Sequence, residues 1–341
     1  MRRPTIADIA ERAGVSKVAV SYALNDRPGV SAETRALIKQ IATEIGWRPN
    51  SAAKALNGAR ARSVGLALAR PARTLAIEPF FMELVSGIES VLSPHSFALT
   101  LQVVDDHARE IETYQRWWGE RRVDGVIVVD LHLDDERVGE LRTLDMPAVV
   151  VGHPDAAGGL TAVWSDDAEA IRETVSYLYA LGHRRIARVA GLPRLVHTRL
   201  RDDAFTAVCE ELGITGHPIV HTDYTGEEGA RATRRVISSP TPPTAIVYDN
   251  DIMAVAGLSV AQEMRLNVPA DFSIVAWDDS PFSRVVRPAL TALTRDIPAY
   301  GAHAARTLLS LLDGDTIAGY QDEAARLTPR ASTGPPPDRP A

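Results

Sequence analysis

From Ser63 onward, short apolar runs alternate with stretches of helical periodicity, and the alternation restarts after Asp166. Strands are expected at 63–69, 97–104, 125–129 and 148–151, with helices at 81–92, 110–118 and 136–144 between them. The second series places helices at 168–181, 202–212, 226–237 and 251–263, and strands at 185–190, 218–221, 245–248 and 273–277. Strands that are apolar throughout must be covered on both faces, and strands separated by helices pair in parallel. The expected body is therefore α/β, with two doubly wound lobes.

At 341 residues the chain exceeds one ordinary core and suits two or three compact units. No apolar run approaches the roughly 18 residues of a membrane span. The basic start Met1-Arg2-Arg3-Pro4-Thr5 leads into no apolar stretch, so no secretory signal is read. A single cysteine, Cys209, excludes an internal disulfide, and a cytoplasmic, nucleoid-associated location is the expectation. Charge is distributed unevenly. Residues 1–61 hold ten Lys/Arg and five Asp/Glu, so against a whole-chain charge of −7 the remainder carries −12. A basic head on an acidic body points to a nucleic-acid module joined to something that avoids DNA.

The first sixty residues support this. Thr5-Ile-Ala-Asp8 has the form of a capping box, apolar residues recur through Ala13, and Gly14 stands where a left-handed turn residue ends a helix. Ser16 can cap a second short helix at 17–24, and Ser31 a third through Leu37, Ile38, Ile41 and Ile45 to Gly46. Two short helices about a glycine-containing turn form a helix-turn-helix, the alternative being three helices of a larger core.

The motif train Thr5 to Ser16, Val20-Ser21, Leu24-Asn25, Arg27 to Ser31, Glu33 to Arg35 and Gly46-Trp-Arg-Pro-Asn50 resembles the lactose-repressor (LacI/GalR) family. The resemblance continues weakly to Pro329-Arg-Ala-Ser-Thr333. It implies that the second helix lies in the major groove with Lys17, Val18 and Tyr22 at base-reading positions. Lys17 would donate to guanine and Val18 pack on a thymine methyl, while Tyr22 either reads a base or fills the core. Ser16, Ser21 and Asn25 would sit at the phosphates, and Thr5 is counted among the DNA-binding residues. Asn50 would cap a hinge helix that folds when two copies pair on a palindromic operator, and Leu56 would wedge into the minor groove. The implied organisation is a helix-turn-helix domain at 1–48, a hinge and linker at 49–61, an effector-binding and dimerisation body at 62–333, and a disordered tail at 334–341.

The resemblance further implies a periplasmic-binding-protein-like body with a ligand cleft between its lobes. Ligands of open α/β sheets sit beyond the carboxyl ends of the strands, which selects the same segments. Arg201 and Asp278 are the expected polar anchors, Asn250 assists, and Phe80, Phe81 and Tyr224 form walls, one of the two phenylalanines being core. The alternative is that Arg201 and Asp278 pair only with each other across the cleft. His153 and Arg295 occupy specificity positions where this chain departs from many relatives, so no particular effector carries over. A planar paired donor beside an acceptor of vicinal hydroxyls suits a sugar.

No P-loop, G-x-S-x-G or G-x-G-x-x-G motif is present, and the histidines are read as lacking metal-site spacing. Neither enzymatic chemistry nor a cofactor nor a metal is expected. The expected function is a homodimeric transcriptional repressor of carbohydrate genes, controlled by a sugar-like effector and independent of membranes. The rivals are a transport binding protein and a regulator without an effector.

Overall fold

The computed structural model describes residues 4–47, 60–71, 75 and 77–337. Asn50, Leu56 and the expected hinge helix lie outside the described residues. The chain divides into two compact units, Met1–Ala61 and Arg62–Ala341.

The first unit contains α1 (Ile6–Ala13), α2 (Lys17–Leu24) and α3 (Ala32–Glu44). The capping box forms: the Thr5 N–H donates to Asp8 Oδ2 at 2.6 Å and the Asp8 N–H to Thr5 Oγ1 at 3.4 Å. Gly14 closes α1 at φ 65°, a conformation in which a side chain would clash with its own backbone. Ser16 and Ser31 cap the next two helices through the N–H groups of Ala19 and Thr34. Ile9, Ala10, Val20, Ala23, Ile38, Ile41 and Ala42 form the core, whereas Leu37 points outward. Arg35 braces the loop after α2 by donating to the carbonyls of Ala23 and Arg27 and pairing with Asp26.

The second unit has two six-stranded sheets. In chain order its elements are β1 (Ser63–Leu68), α4 (Pro79–Leu92), β2 (Ala98–Val103), α5 (His107–Gly119), β3 (Gly125–Val128), α6 (Glu136–Thr143), β4 (Ala148–Val151) and β5 (Thr161–Trp164). There follow α7 (Asp167–Ala180), β6 (Ile186–Ala190), α8 (Val196–Glu211), β7 (Ile219–His221), α9 (Gly226–Ile237), β8 (Ala245–Tyr248), α10 (Asp251–Glu263) and β9 (Ser273–Trp277). The chain ends with α11 (Pro281–Val285), β10 (Thr291–Thr294), α12 (Ile297–Leu312), β11 (Gly319–Gln321) and β12 (Arg326–Thr328). The first sheet runs β11-β5-β4-β3-β1-β2, all parallel. The second runs β12-β10-β9-β8-β6-β7, parallel except for β12 against β10. Each sheet carries an apolar cluster on both faces, which is why its central strands are buried along their whole length.

Three expectations need correction. The second half does not end at Trp277: α12 and β11 return to the first sheet, and β12 crosses back to the second. The lobes are thus joined by three crossings, after β5, β10 and β11. Helix α8 begins at Val196 rather than near residue 202. Its preceding residue, Leu195, makes no side-chain capping bond, so the sequence carries no start signal there. The tail is held at least as far as Gly334, whose carbonyl accepts from His183 Nε2 at 3.0 Å and from Ser273 Oγ at 3.2 Å.

Helices α4 and α12 approach until backbone meets backbone. A Cβ on Gly87 would lie 1.9 Å from the Pro298 carbonyl oxygen, and one on Gly301 would lie 2.3 Å from that of Leu84.

Candidate functional site

In the first unit, packing decides which side of α2 can meet a partner. Val20 and Ala23 face the core, so Ser16, Lys17, Val18, Tyr22 and Asn25 are left exposed and Ser21 half-buried. Val18 is 60% exposed and so available to a partner. Tyr22, 38% exposed, rests against Gly29 and does not fill the core. Asn25 donates its amide to the Ser21 carbonyl at 2.8 Å and Thr5 is committed to its capping box, so both offer a partner less than a free side chain would. Lys17 and Val18 therefore stand side by side at the helix N-terminus, where base edges are reached in a major-groove docking. Lys17→Ala is expected to cost about 1–3 kcal/mol of operator binding and to relax preference at one base position. Selection from a randomised operator library reads this directly: a uniform loss across all sequences would make Lys17 a phosphate contact.

In the second unit, the carboxyl ends of the strands converge on one cleft enclosing about 840 Å³, its open mouth included. The strand ends supply Arg70 after β1, Asp130 after β3, His153 after β4, Asp167 after β5, Tyr224 after β7, Asp249 after β8, Asp278 after β9 and Arg295 after β10. Of the expected effector residues, Phe80, Phe81, His153, Arg201, Tyr224, Asp278 and Arg295 line it. Asn250 does not. Its amide donates to the Tyr224 carbonyl, its carbonyl caps α10 through Met253, and it lines a smaller neighbouring pocket. Phe81 is the core member of the phenylalanine pair, with Phe80 edge-on against it at 5.2 Å.

Arg201 and Asp278 do not pair with each other. Arg201 lies inside α8, where Nε donates to Asp167 at 2.7 Å and Nη1 to Asp249 at 3.2 Å, with the guanidinium 3.6 Å from the Trp277 ring. Neither acid engages Nη2. Asp278 accepts instead from Arg295 Nε at 3.1 Å, and Arg295 in turn lies over Phe80 at 5.2 Å. These contacts preorganise the cleft: its guanidiniums are held over aromatic rings by carboxylates before any ligand arrives.

Sequence reasoning missed Arg70, Glu78, Asp130 and His197. Arg70 donates to Asp130 at 2.8 Å and crosses to the other lobe to lie over Tyr224 at 4.9 Å. Although burial opposes it, this arginine holds the Asp130 carboxyl down to about 2. Burial, aided by Arg201, pushes His197 down to about 4, so it is neutral where its Nε2 meets the Tyr224 hydroxyl at 2.7 Å. The strand-end rule applied to every strand would have found Arg70 and Asp130. His197 needed the true start of α8.

The lobes also touch beside the cleft. Leu133 N–H donates to the Arg194 carbonyl and Val196 N–H to the Leu131 carbonyl, both at 2.9 Å, so the entry to α8 is stitched to the strand end of the first lobe.

A family model described as bacterial regulatory proteins, lacI family, matches residues 5–50, and a periplasmic binding protein-like domain model matches residues 175–333. The HTH-type transcriptional regulator AglR of Rhizobium meliloti (strain 1021) is 31% identical over 349 residues, covering 98% of this chain and 95% of its own. The chain belongs to the lacI family.

Two solved structures of the same architecture are similar over nearly the full length. The lac repressor dimer bound to operator and the anti-inducer ONPF is 25% identical, with a TM-score of 0.84 over 98% of this chain and 100% of that one. The transcriptional regulator CelR–cellobiose complex is 27% identical, with a TM-score of 0.74 over 97% and 100%. This lacI-family member is thus a DNA-binding transcriptional regulator with a helix-turn-helix head and a two-lobed α/β body.

One motif reading is corrected. His217 and His221 do have H-x-x-x-H spacing, but they flank a strand; His217 bonds the Ile214 carbonyl and His221 pairs with Asp202. Among the described residues no three His, Cys, Asp or Glu side chains are grouped to hold a metal, and no helix is long and apolar enough to cross a membrane.

Proposed function

We propose that this regulator is a homodimeric repressor whose hold on a palindromic operator is set by a neutral, sugar-like effector in the body cleft. The observation that carries the reading is the cleft itself, where fixed donors and acceptors stand among aromatic faces at converging strand ends. Asp278 accepts from hydroxyls, the unengaged edge of Arg201 donates to ring or hydroxyl oxygens, and Phe80 and Tyr224 pack on C–H faces. The cellobiose bound by CelR supports the same class of ligand. Every cleft guanidinium is already matched by a carboxylate, which disfavours an anionic effector. Large apolar side chains on α4 (Met82), β2 (Leu101, Val103) and α11 (Phe282, Val285) are exposed, and pairing of two bodies would cover such residues. The exposed face of α2 would read each half-site, and Leu56 would wedge between the central bases.

Effector control requires that the ligand prefer one lobe arrangement. The test is fluorescence anisotropy of the full chain on an operator recovered by selection, with sugars screened for release. Asp278→Asn, which removes the charge yet suits the left-handed backbone there (φ 63°), is expected to keep operator affinity and weaken the ligand response at least tenfold. An unchanged response would remove Asp278 from the site, and an operator half-site binding as tightly as the full palindrome would remove the dimer.

A further inference from the structure

Glu78, at the N-terminus of α4, lines both the effector cleft and the smaller pocket beside it. It is only 8% exposed; the neighbouring Asn250 amide favours its ionised form, but its Oε2 makes no aligned hydrogen bond among the described residues. The groups around it are mostly acids from both lobes. Asp130 and Arg70 stand at the first-lobe strand ends, Asp278 at the end of β9, Asn250 and Asp251 at the start of α10, and Glu83 one turn along α4. The guanidiniums nearest it are already engaged, Arg70 donating to Asp130 and Arg295 to Asp278. A buried acceptor without a partner is costly to the empty protein and is repaid by a ligand that donates to it.

We propose that Glu78 is a specificity-determining contact of the effector cleft, one that accepts a hydroxyl donor from a neutral sugar and excludes carboxylated ones. The proposal rests on the sugar-effector reading above and adds the group that makes the selection. Burial, reinforced by Asp130 and Asp278 and partly offset by Arg70 and the Asn250 amide, pushes the carboxyl up to about 7. A ligand hydroxyl favours the ionised form, so binding releases a proton and tightens as pH rises. With half-ionisation near 7, affinity gains about tenfold between pH 6 and pH 8.

The experiment is isothermal titration of the full chain and of Glu78→Gln at pH 6, 7 and 8. The probes are D-glucose, D-galactose, D-ribose, cellobiose and maltose, with D-glucuronate and D-galacturonate as charged counterparts. Gln keeps an acceptor and the shape but cannot titrate, and circular dichroism and operator binding check that its fold is intact. The expected result is a neutral sugar whose affinity rises about tenfold from pH 6 to 8 in the wild type and stays level in Glu78→Gln, with no uronate binding. A neutral sugar bound with the same pH profile by both proteins overturns the role of Glu78 and leaves the sugar reading standing, as does a uronate bound at least as tightly. If no sugar binds at all, the sugar reading fails and the proposal with it.

Discussion

Asp249→Ala is expected to destabilise the body by about 3–5 kcal/mol, because it leaves two buried guanidiniums without their shared acid. Asp249 is fully buried, and its Oδ1 is 2.9 Å from Arg188 and 3.2 Å from Arg201, while Oδ2 accepts from the Gly191 N–H at 2.9 Å. Arg188 is poorly provided for already: it is wholly buried, its Nε bonds Asp202, and its two terminal nitrogens lack aligned hydrogen bonds among the described residues. Removing Asp249 therefore withdraws attraction where little else compensates, and the Arg201 side chain loses one of the two acids that hold it in the cleft. Burial raises the Asp249 carboxyl, but Arg188 and Arg201 outweigh that and hold it below the usual carboxylate range. A depressed group contributes its stability above the unfolded value near 3.9 and loses it as pH falls through the folded value. Urea denaturation at neutral pH should show the full loss in the variant. The gap between wild type and variant should narrow only in acid below about pH 4. A loss under about 1 kcal/mol would mean that the ion network is replaceable by solvent.

Gly87→Val is expected to prevent stable folding of the first lobe. On a free helix, replacing glycine would help slightly, by up to about 1 kcal/mol for alanine. Here the added carbon meets a backbone carbonyl at 1.9 Å, and Gly301 permits the reciprocal close approach one face away. Backbone cannot rotate aside, so α4 and α12 must separate and uncover a core that includes Phe81, Leu84, Ile88, Ala304, Ala305 and Leu308. The cost should therefore exceed the roughly 1–3 kcal/mol usual for overpacking. Thermal unfolding of Gly87→Ala, which imposes the smallest clash, gives a graded check; a melting temperature at or above wild type would show that the helices slide apart freely.

The parts of this architecture legible in the sequence were those written in local chemistry. The Thr5–Asp8 capping box, the Ser16 and Ser31 caps and Gly14 mark element ends by hydrogen bonds made within a few residues, and each forms as expected. Family position, which the strand-end rule supported, gave eight expected cleft residues, of which seven line the cleft, because the carboxyl ends of parallel strands are fixed by topology. What escaped depends on contacts distant in sequence. The start of α8 is stabilised by burial of Val196 and by its backbone bond to Leu131, not by a cap. Asn250 looks like a ligand-binding amide, but a carbonyl 26 residues earlier takes one of its two N–H donors and its oxygen caps α10. Glu78 sits before a proline at a helix start, a common surface position, and only the approach of Asp278 and Asn250 from the other lobe makes it unusual.

The three crossings between lobes set an order on biosynthesis. On a ribosome the chain emerges from its N-terminus, and Met1–Ala61 form a compact unit of their own, so the reading head can fold early. The first lobe cannot. Five of its six strands are made by Trp164, yet α12, which covers the face bearing Phe81 and Leu84, and β11, its edge strand, arrive only between Ile297 and Gln321. Until then an apolar sheet face must wait partly uncovered while all but the last strand of the second lobe is synthesised between its parts. A nascent chain cut short before Ile297 would therefore carry a finished head on an unfinished body, able to meet DNA but with one cleft wall lacking its support.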